Sequence, residues 1–587
     1  MFIKKQDRSG GFRIIDATAL FSVLAFSLWM YRGAFRCFFV QDDFAWLVLS
    51  RFHSVGELLS CFVKFNPAGT YRPLSQEAYF WLGQTIFGMW PTGFHIIGCA
   101  AHLTAVALLY LLLRRFFGIL PALTGAFCYA VHGAHVTSLY WISAFPEPLA
   151  MVFYLAAVLS FIHFDRTNER RAYLLSLAAM LLGVMSKESI LSLPLILAAY
   201  CALLARSRLL WTLPHFLVSG AYMLLRISSS VQVAPYDLSL GRQTLASLAS
   251  YLSWMAGFIS NPMPSSWGLD AARRSLWISA AVVIVAVILF LLARVRPIAG
   301  FAILWILFAL QPVLYFSNHS YPYYLAPALA GLALLIASAV PPWQEPIGWK
   351  CWVPALLVAG VSLWLSAGTI RADGNWWNQR SASRHGFIGE LLDINRRVPD
   401  GETAYIFGLK QDEFDQLEGG AVLKAYSLSG RKLRFVLPEL DSGLPAGLQQ
   451  LVQTGGIRQA HCFQFSSGKA VDRTADFRND PWRYLGSKPV KFLEVPGVRL
   501  EAGPAIIRRG TDTLVVKVIN LEAQTVDLLY SIDGQLMPPA LQWRLDSQHT
   551  ARVFADMTTP EGEYRFEAVR PAGTANWIKI DARLTVR

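Results

Sequence analysis

Asp42 and Asp43 are adjacent carboxylates just beyond an apolar run, Leu20–Tyr31, that suits a membrane. At a membrane–water boundary such a pair is costly to keep charged, because poor solvation and like charge both oppose ionisation. The pair reads as a working site or, more plainly, as a solvated loop start. Three further polar clusters punctuate apolar sequence. Tyr71-Arg72-Pro73-Leu74-Ser75 places a guanidinium beside a stiffening proline, and a guanidinium can grip a phosphate in bidentate fashion. His132 and His135 precede Trp141 and Glu147. They leave a divalent metal open, against the plainer alternative of hydrogen-bonded residues at a span end. Ser186-Lys187-Glu188-Ser189 offers a second cation beside a carboxylate, which can equally be a charged hairpin tip.

These residues need elements to hold them. The 587-residue chain is 54% hydrophobic and 16% charged, where soluble chains carry about 25% charged residues. Apolar runs recur before residue 370, at 17–31, 96–113, 119–131, 149–162, 172–185, 189–205, 209–225, 276–293, 298–316, 323–340 and 351–370. Each is close enough to the roughly 20 residues of a bilayer span to predict about eleven spans. The run 245–260 is shorter and interrupted, and reads as interfacial or re-entrant. Short basic loops carry Lys4, Lys5, Arg114, Arg115, Arg166, Arg170, Arg171, Arg206, Arg208, Arg294 and Arg296. By the positive-inside rule these loops are cytoplasmic. All four polar clusters then fall on the outer face, and so does everything after residue 370. The net charge of +13 is mostly this anchoring pattern and does not indicate nucleic acid. Seven scattered cysteines without a CxxC pair form no metal framework.

Residues 1–370 are expected to form an α-helical polytopic domain. Residues 371–485 read as a small α/β unit, with a helix over Phe387–Val398 and strands over Ala404–Leu409, Leu433–Leu437 and Ala460–Phe465. Residues 486–587 read as a β-sandwich, with strands over Thr513–Ile519, Thr525–Ile532, Ala540–Leu545, His549–Phe554, Gly562–Val569 and Trp577–Val586. Asp533-Gly534 is a hairpin signal.

The order of the clusters resembles the GT-C superfamily of membrane glycosyltransferases, especially the dolichyl-phosphate-mannose protein O-mannosyltransferases. The resemblance rests on Asp42-Asp43, on Tyr71-Arg72-Pro73-Leu74-Ser75 with Phe94-His95 and His102, and on His132-x-x-His135, Trp141-Ile142-Ser143, Glu147 and Ser186-Lys187-Glu188. It spans roughly residues 35–200. Gly133, Thr137 and Phe145 depart from it, standing where proline, glutamate and arginine are usual. It implies an inverting transfer of a sugar from a polyprenyl- or dolichyl-phosphate donor to a protein, lipid or glycan acceptor on the extracytoplasmic face. It implies Asp42 as the base, ahead of Asp43. The departing phosphate would fall to Arg72 and Lys187, with Arg226 and Arg274 behind them; Tyr71, His132, His135, Glu147 and Glu188 would bind substrate or support the site. No cofactor is required, and a metal stays open. A lipid-linked sugar flippase and a glycan polymerase or ligase are the alternatives. A bacterial inner membrane with a periplasmic C-terminal region is the expected location, with the endoplasmic reticulum second.

Overall fold

The computed structural model describes residues 14–587 except 65, 67–69, 229–240, 260–296, 317–319, 341–348, 400, 410–420, 427–431, 437–454, 467, 485–491, 509–511, 533–534, 556–558, 560, 573 and 575. The chain forms two compact units. The first comprises Met1–Phe38, Phe52–Phe65 and Gly69–Arg380; the second comprises Phe39–Arg51, Asn66–Ala68 and Ser381–Arg587.

The first unit is helical. Its buried centre includes Tyr110, Tyr154, Phe161 and Trp305, all 0% exposed. Among the described residues, five helices are long and apolar enough to cross a membrane: Pro91–Arg114, Ile142–Thr167, Pro297–Leu314, Pro322–Ala339 and Trp352–Arg397. A sixth span results if Ile119–Ala130 and Gly133–Tyr140, bent by 44° at their break, are taken together. The runs at 17–31, 172–185, 189–205 and 209–225 appear as shorter helices, Ile14–Met30, Arg170–Val184, Leu193–Leu204 and Leu213–Ser228. The run at 276–293 lies outside the described residues. The run at 245–260 is helical over Arg242–Met255, with Tyr251 and Trp254 buried.

Charge marks one end of this bundle. Asp16 accepts hydrogen bonds from Tyr110 (2.6 Å) and Arg114 (2.7 Å). Arg166 donates to the Arg115 carbonyl at 2.8 Å, and Arg208 lies 3.5 Å from Asp165. The basic loops at 114–115, 166 and 206–208 therefore share an end. Glu147 stands at the opposite terminus of the helix Pro146–Thr167. Its 22 residues span about 33 Å, the thickness of a bilayer core.

The helix Trp349–Arg397 runs on without a break past residue 371, where the composition turns polar. Its residues from Ser381 belong to the second unit. That unit holds a four-stranded sheet of β1 (Thr403–Phe407), β2 (Lys432–Phe435), β3 (Ala460–Ser466) and β4 (Lys469–Asp472), in the order β2-β1-β3-β4. β1 is parallel to β2 and β3, while β4 is antiparallel to β3.

The remaining strands are β5 (Phe492–Leu493), β6 (Arg499–Gly503), β7 (Ile506–Ile507), β8 (Thr513–Ile519), β9 (Thr525–Ile532), β10 (Gln535–Arg544), β11 (Thr550–Phe554), β12 (Gly562–Pro571) and β13 (Trp577–Val586). They form one sheet ordered β10-β9-β12-β13-β5, with β7 on β13, and another ordered β11-β8-β6. Leu514, Val516 and Val518 of one sheet pack with Leu528, Phe566 and Leu584 of the other in a single apolar core. β10 starts earlier than its sequence pattern suggests, and its register with β9 shifts between Met537 and Leu541. Pro538 and Pro539 fall in that interval and cannot donate to the ladder.

Candidate functional site

Pro73 starts a wide helical turn in which the Ala78 amide reaches back to the Pro73 carbonyl at 2.8 Å. Such wide turns occur often at functional sites. The turn is docked on the segment after Val184: the Leu74 amide donates to the Met185 carbonyl (3.1 Å), and the Ser75 hydroxyl donates to the Ser186 carbonyl (2.5 Å). This delivers Arg72 to Glu188. Arg72 Nε and Nη2 both donate to Glu188 Oε2, at 3.0 and 2.7 Å, while Tyr222 donates to Glu188 Oε1 at 3.1 Å. Tyr71 donates to the Phe62 carbonyl at 2.8 Å, and its ring lies 6.3 Å from that of Tyr222.

Beside this pair is a second one. Lys187 Nζ lies 2.5 Å from Glu147 Oε2. The same ammonium faces the rings of Tyr323 and Tyr324, at 4.9 and 4.5 Å from their centroids. Lys187 and Glu147 are both buried, and Glu147 Oε1 has no hydrogen-bond partner among the described residues. Burial holds the Lys187 ammonium below its ordinary pKa; Glu147 opposes that shift and Arg72 adds to it. Three polar clusters far apart in sequence thus meet as two cations and two carboxylates of no net charge. An incoming phosphate must share or displace a carboxylate to reach either cation.

The histidines do different work. The bend between Ile119–Ala130 and Gly133–Tyr140 leaves backbone groups without helical partners. His132 Nδ1 accepts from the Ala134 amide (3.2 Å), which leaves Nε2 to donate to the Met255 carbonyl (3.2 Å). His135 Nε2 donates to the Tyr129 carbonyl at 3.0 Å, and Tyr31 donates to the His132 carbonyl at 2.7 Å. His102 lies against His135, with ring centroids 4.7 Å apart. Among the described residues no group of three or more His, Cys, Asp or Glu is arranged to hold a metal. Gly133 stands in close approach to Thr369: a Cβ there would lie 3.0 Å from it.

Asp42 and Asp43 belong to the second unit, and Arg72, Glu147, Lys187 and Glu188 to the first. They open the helix Asp42–Leu49. Asp43 is fully buried, and its Oδ2 accepts from the Val40 amide at 2.8 Å, a local bond that ties down the helix start. Asp42 is half-buried. The preceding Gln41 has φ 51° and ψ −131°, a strained conformation for a residue with a side chain. Arg226 is half-buried one turn beyond Tyr222, and Arg274 lies outside the described residues. Tyr222, Tyr323 and Tyr324 lie outside the polar clusters that the sequence singles out.

The sequence family described as dolichyl-phosphate-mannose-protein mannosyltransferase matches residues 72–232. No curated protein matches the chain. Among solved structures, ArnT from Cupriavidus metallidurans bound to undecaprenyl phosphate is 12% identical, with a TM-score of 0.45 over 78% of this chain and 93% of that one. The Archaeoglobus fulgidus oligosaccharyltransferase tethered to an acceptor peptide is also 12% identical, with a TM-score of 0.43 over 97% of this chain and 98% of that one. The family match begins at Arg72 and takes in Glu147, Lys187, Glu188 and Tyr222; over that stretch the chain is similar to the dolichyl-phosphate-mannose-protein mannosyltransferases and so resembles the GT-C membrane glycosyltransferases.

Proposed function

We propose that this protein is an inverting glycosyltransferase that moves a sugar from a polyprenyl-phosphate donor to an acceptor hydroxyl or amine at the extracytoplasmic face of a membrane. The observation that carries this reading is the meeting of Arg72–Glu188 and Lys187–Glu147 within the stretch that matches the mannosyltransferase family. In the reaction the acceptor attacks the anomeric carbon, and its proton passes to Asp42. The bond from that carbon to the phosphate oxygen breaks, and its electron pair stays on the phosphate. The donor is a phosphodiester with one negative charge; the departing monoester carries up to two. Arg72 and Lys187 therefore gain more interaction as the bond breaks than they have with bound donor, which is the condition for catalysis rather than mere binding.

Glu188 and Tyr222 hold the Arg72 fork in place, and Glu147 with the two tyrosines holds Lys187. His132 and His135 support the site through the bent backbone. Tyr71 is assigned to substrate binding or support, and Arg226 and Arg274 to the donor phosphate behind Arg72 and Lys187. The full proposal has eleven spans, a bacterial inner membrane, and the C-terminal region on the periplasmic side.

The test is purified protein in vesicles with a polyprenyl-phosphate donor labelled in its sugar. Release or transfer of the label supports the proposal. Movement of intact donor between leaflets without bond cleavage contradicts it and indicates a flippase.

A further inference from the structure

The helix Asp42–Leu49 has eight residues, about two turns, and helices this short are marginal in water without outside contacts. Within the second unit it packs on the short helix Ala421–Ala425, which lies between β1 and β2 in sequence. Arg51, just past the end of the Asp42 helix, reaches across to it. Its Nη1 donates to the Lys424 carbonyl at 2.9 Å, and its Nη2 donates to the Ala425 carbonyl. These carbonyls close a helix and have no partner within it, and a cation there also meets the negative end of the helix dipole. The start of the Asp42 helix is fixed separately, by the Asp43 carboxylate on the Val40 amide and by the strained backbone of Gln41. Such strain persists only where the surroundings enforce it. Both ends of the helix that carries Asp42 are thus pinned by bonds that take no part in any reaction.

We infer that Arg51 is a positioning residue for sugar transfer, and that the α/β portion of the C-terminal region serves as the mount for the Asp42 helix. The inference rests on the reading of Asp42 as the base. A general base must stand within about 2.6–3.2 Å of the proton it takes. Misplacement by about 1 Å costs on the order of 10²-fold in rate. Arg51 matters through this geometry and touches no substrate. The α/β portion thereby acquires a role without any reacting group of its own.

The test uses full-length protein carrying Arg51→Ala, Arg51→Lys or Asp42→Asn. The readouts are kcat and KM for the polyprenyl-phosphate donor, and amide hydrogen exchange over residues 42–50 and 421–426. Arg51→Ala is expected to lower kcat about 10–100-fold while KM stays within about twofold. Exchange should accelerate in both segments together. Arg51→Lys, whose single ammonium can serve one carbonyl well, should recover part of kcat. Wild-type kcat in Arg51→Ala overturns the inference, whatever the exchange shows. Equal loss in the Ala and Lys variants with unchanged exchange also overturns it. If Asp42→Asn is fully active, the underlying reading fails and takes the inference with it. If Asp42→Asn is inactive and Arg51→Ala is fully active, the inference alone fails.

Discussion

Replacing Lys187 by Met tests the buried pair of the first unit. The side chains of Lys187 and Glu147 are 9% and 1% exposed, and their charged atoms are 2.5 Å apart. Removing one member of such a pair strands the other charge and costs about 3–5 kcal/mol. Loss of the ammonium from the Tyr323 and Tyr324 rings adds to this, by about 0.5–2 kcal/mol. Glu147→Gln alone strands Lys187 in turn. The double change, Lys187→Met with Glu147→Gln, leaves no stranded charge, so its cost must fall well short of the two single costs added. A coupling of about 1–3 kcal/mol is expected for residues in direct contact. Thermal melting of all four forms in the same detergent measures this. The double variant should melt above the temperature that the two single losses, added together, would give. If the two losses simply add, the charges do not depend on one another and the reasoning is wrong. Both Lys187→Met forms should also bind polyprenyl phosphate more weakly than wild type.

Two further outcomes follow from the second unit. In the sandwich, Asp527 is fully buried and accepts from Arg570 Nε and Gln542 Nε2, both at 3.0 Å, while Arg570 faces the Trp577 ring at 4.6 Å. Asp527→Ala strands a buried guanidinium and should cost about 3–5 kcal/mol, read as lost hydrogen-exchange protection in β9 and β12 with that of the first unit unchanged. At Gln41, glycine relieves about 1–3 kcal/mol of backbone strain and returns about 0.4–1 kcal/mol through the freer unfolded chain. Gln41→Gly should therefore match or exceed wild-type stability in chemical denaturation, and a clear loss would show that the Gln41 side chain holds the turn.

Part of the C-terminal region was legible because some of its strands alternate. Thr513–Ile519 shows exposed and buried residues in turn, as its sequence requires. The polar turn in composition after residue 370 was a poorer guide. Composition reports what surrounds a helix, and the helix Trp349–Arg397 keeps its own backbone bonds through that change. Loop charge grouped the basic ends correctly, since Arg166 and Arg208 meet groups from neighbouring basic loops. It also brought Arg72, Glu147, Lys187 and Glu188 to the opposite end. Which cation meets which carboxylate was not legible: sequence separations of 116 residues for Arg72–Glu188 and 40 for Lys187–Glu147 leave no local signal. The capping work of His132 was hidden for a related reason, because the Ala134 amide needs a side-chain partner only once the helix before it has broken. The placement of Asp42 and Asp43 with the second unit depends on Arg51 and Ala425, which no motif links.

The most direct measurement is transfer by Asp42→Asn, made beside binding of a polyprenyl-phosphate donor to the same preparation. Asparagine keeps the size of the side chain and cannot take the acceptor proton. The account predicts a loss of about 10²–10⁴ in kcat, with donor affinity within about twofold of wild type. Transfer at the wild-type rate by a well-folded Asp42→Asn protein would contradict it.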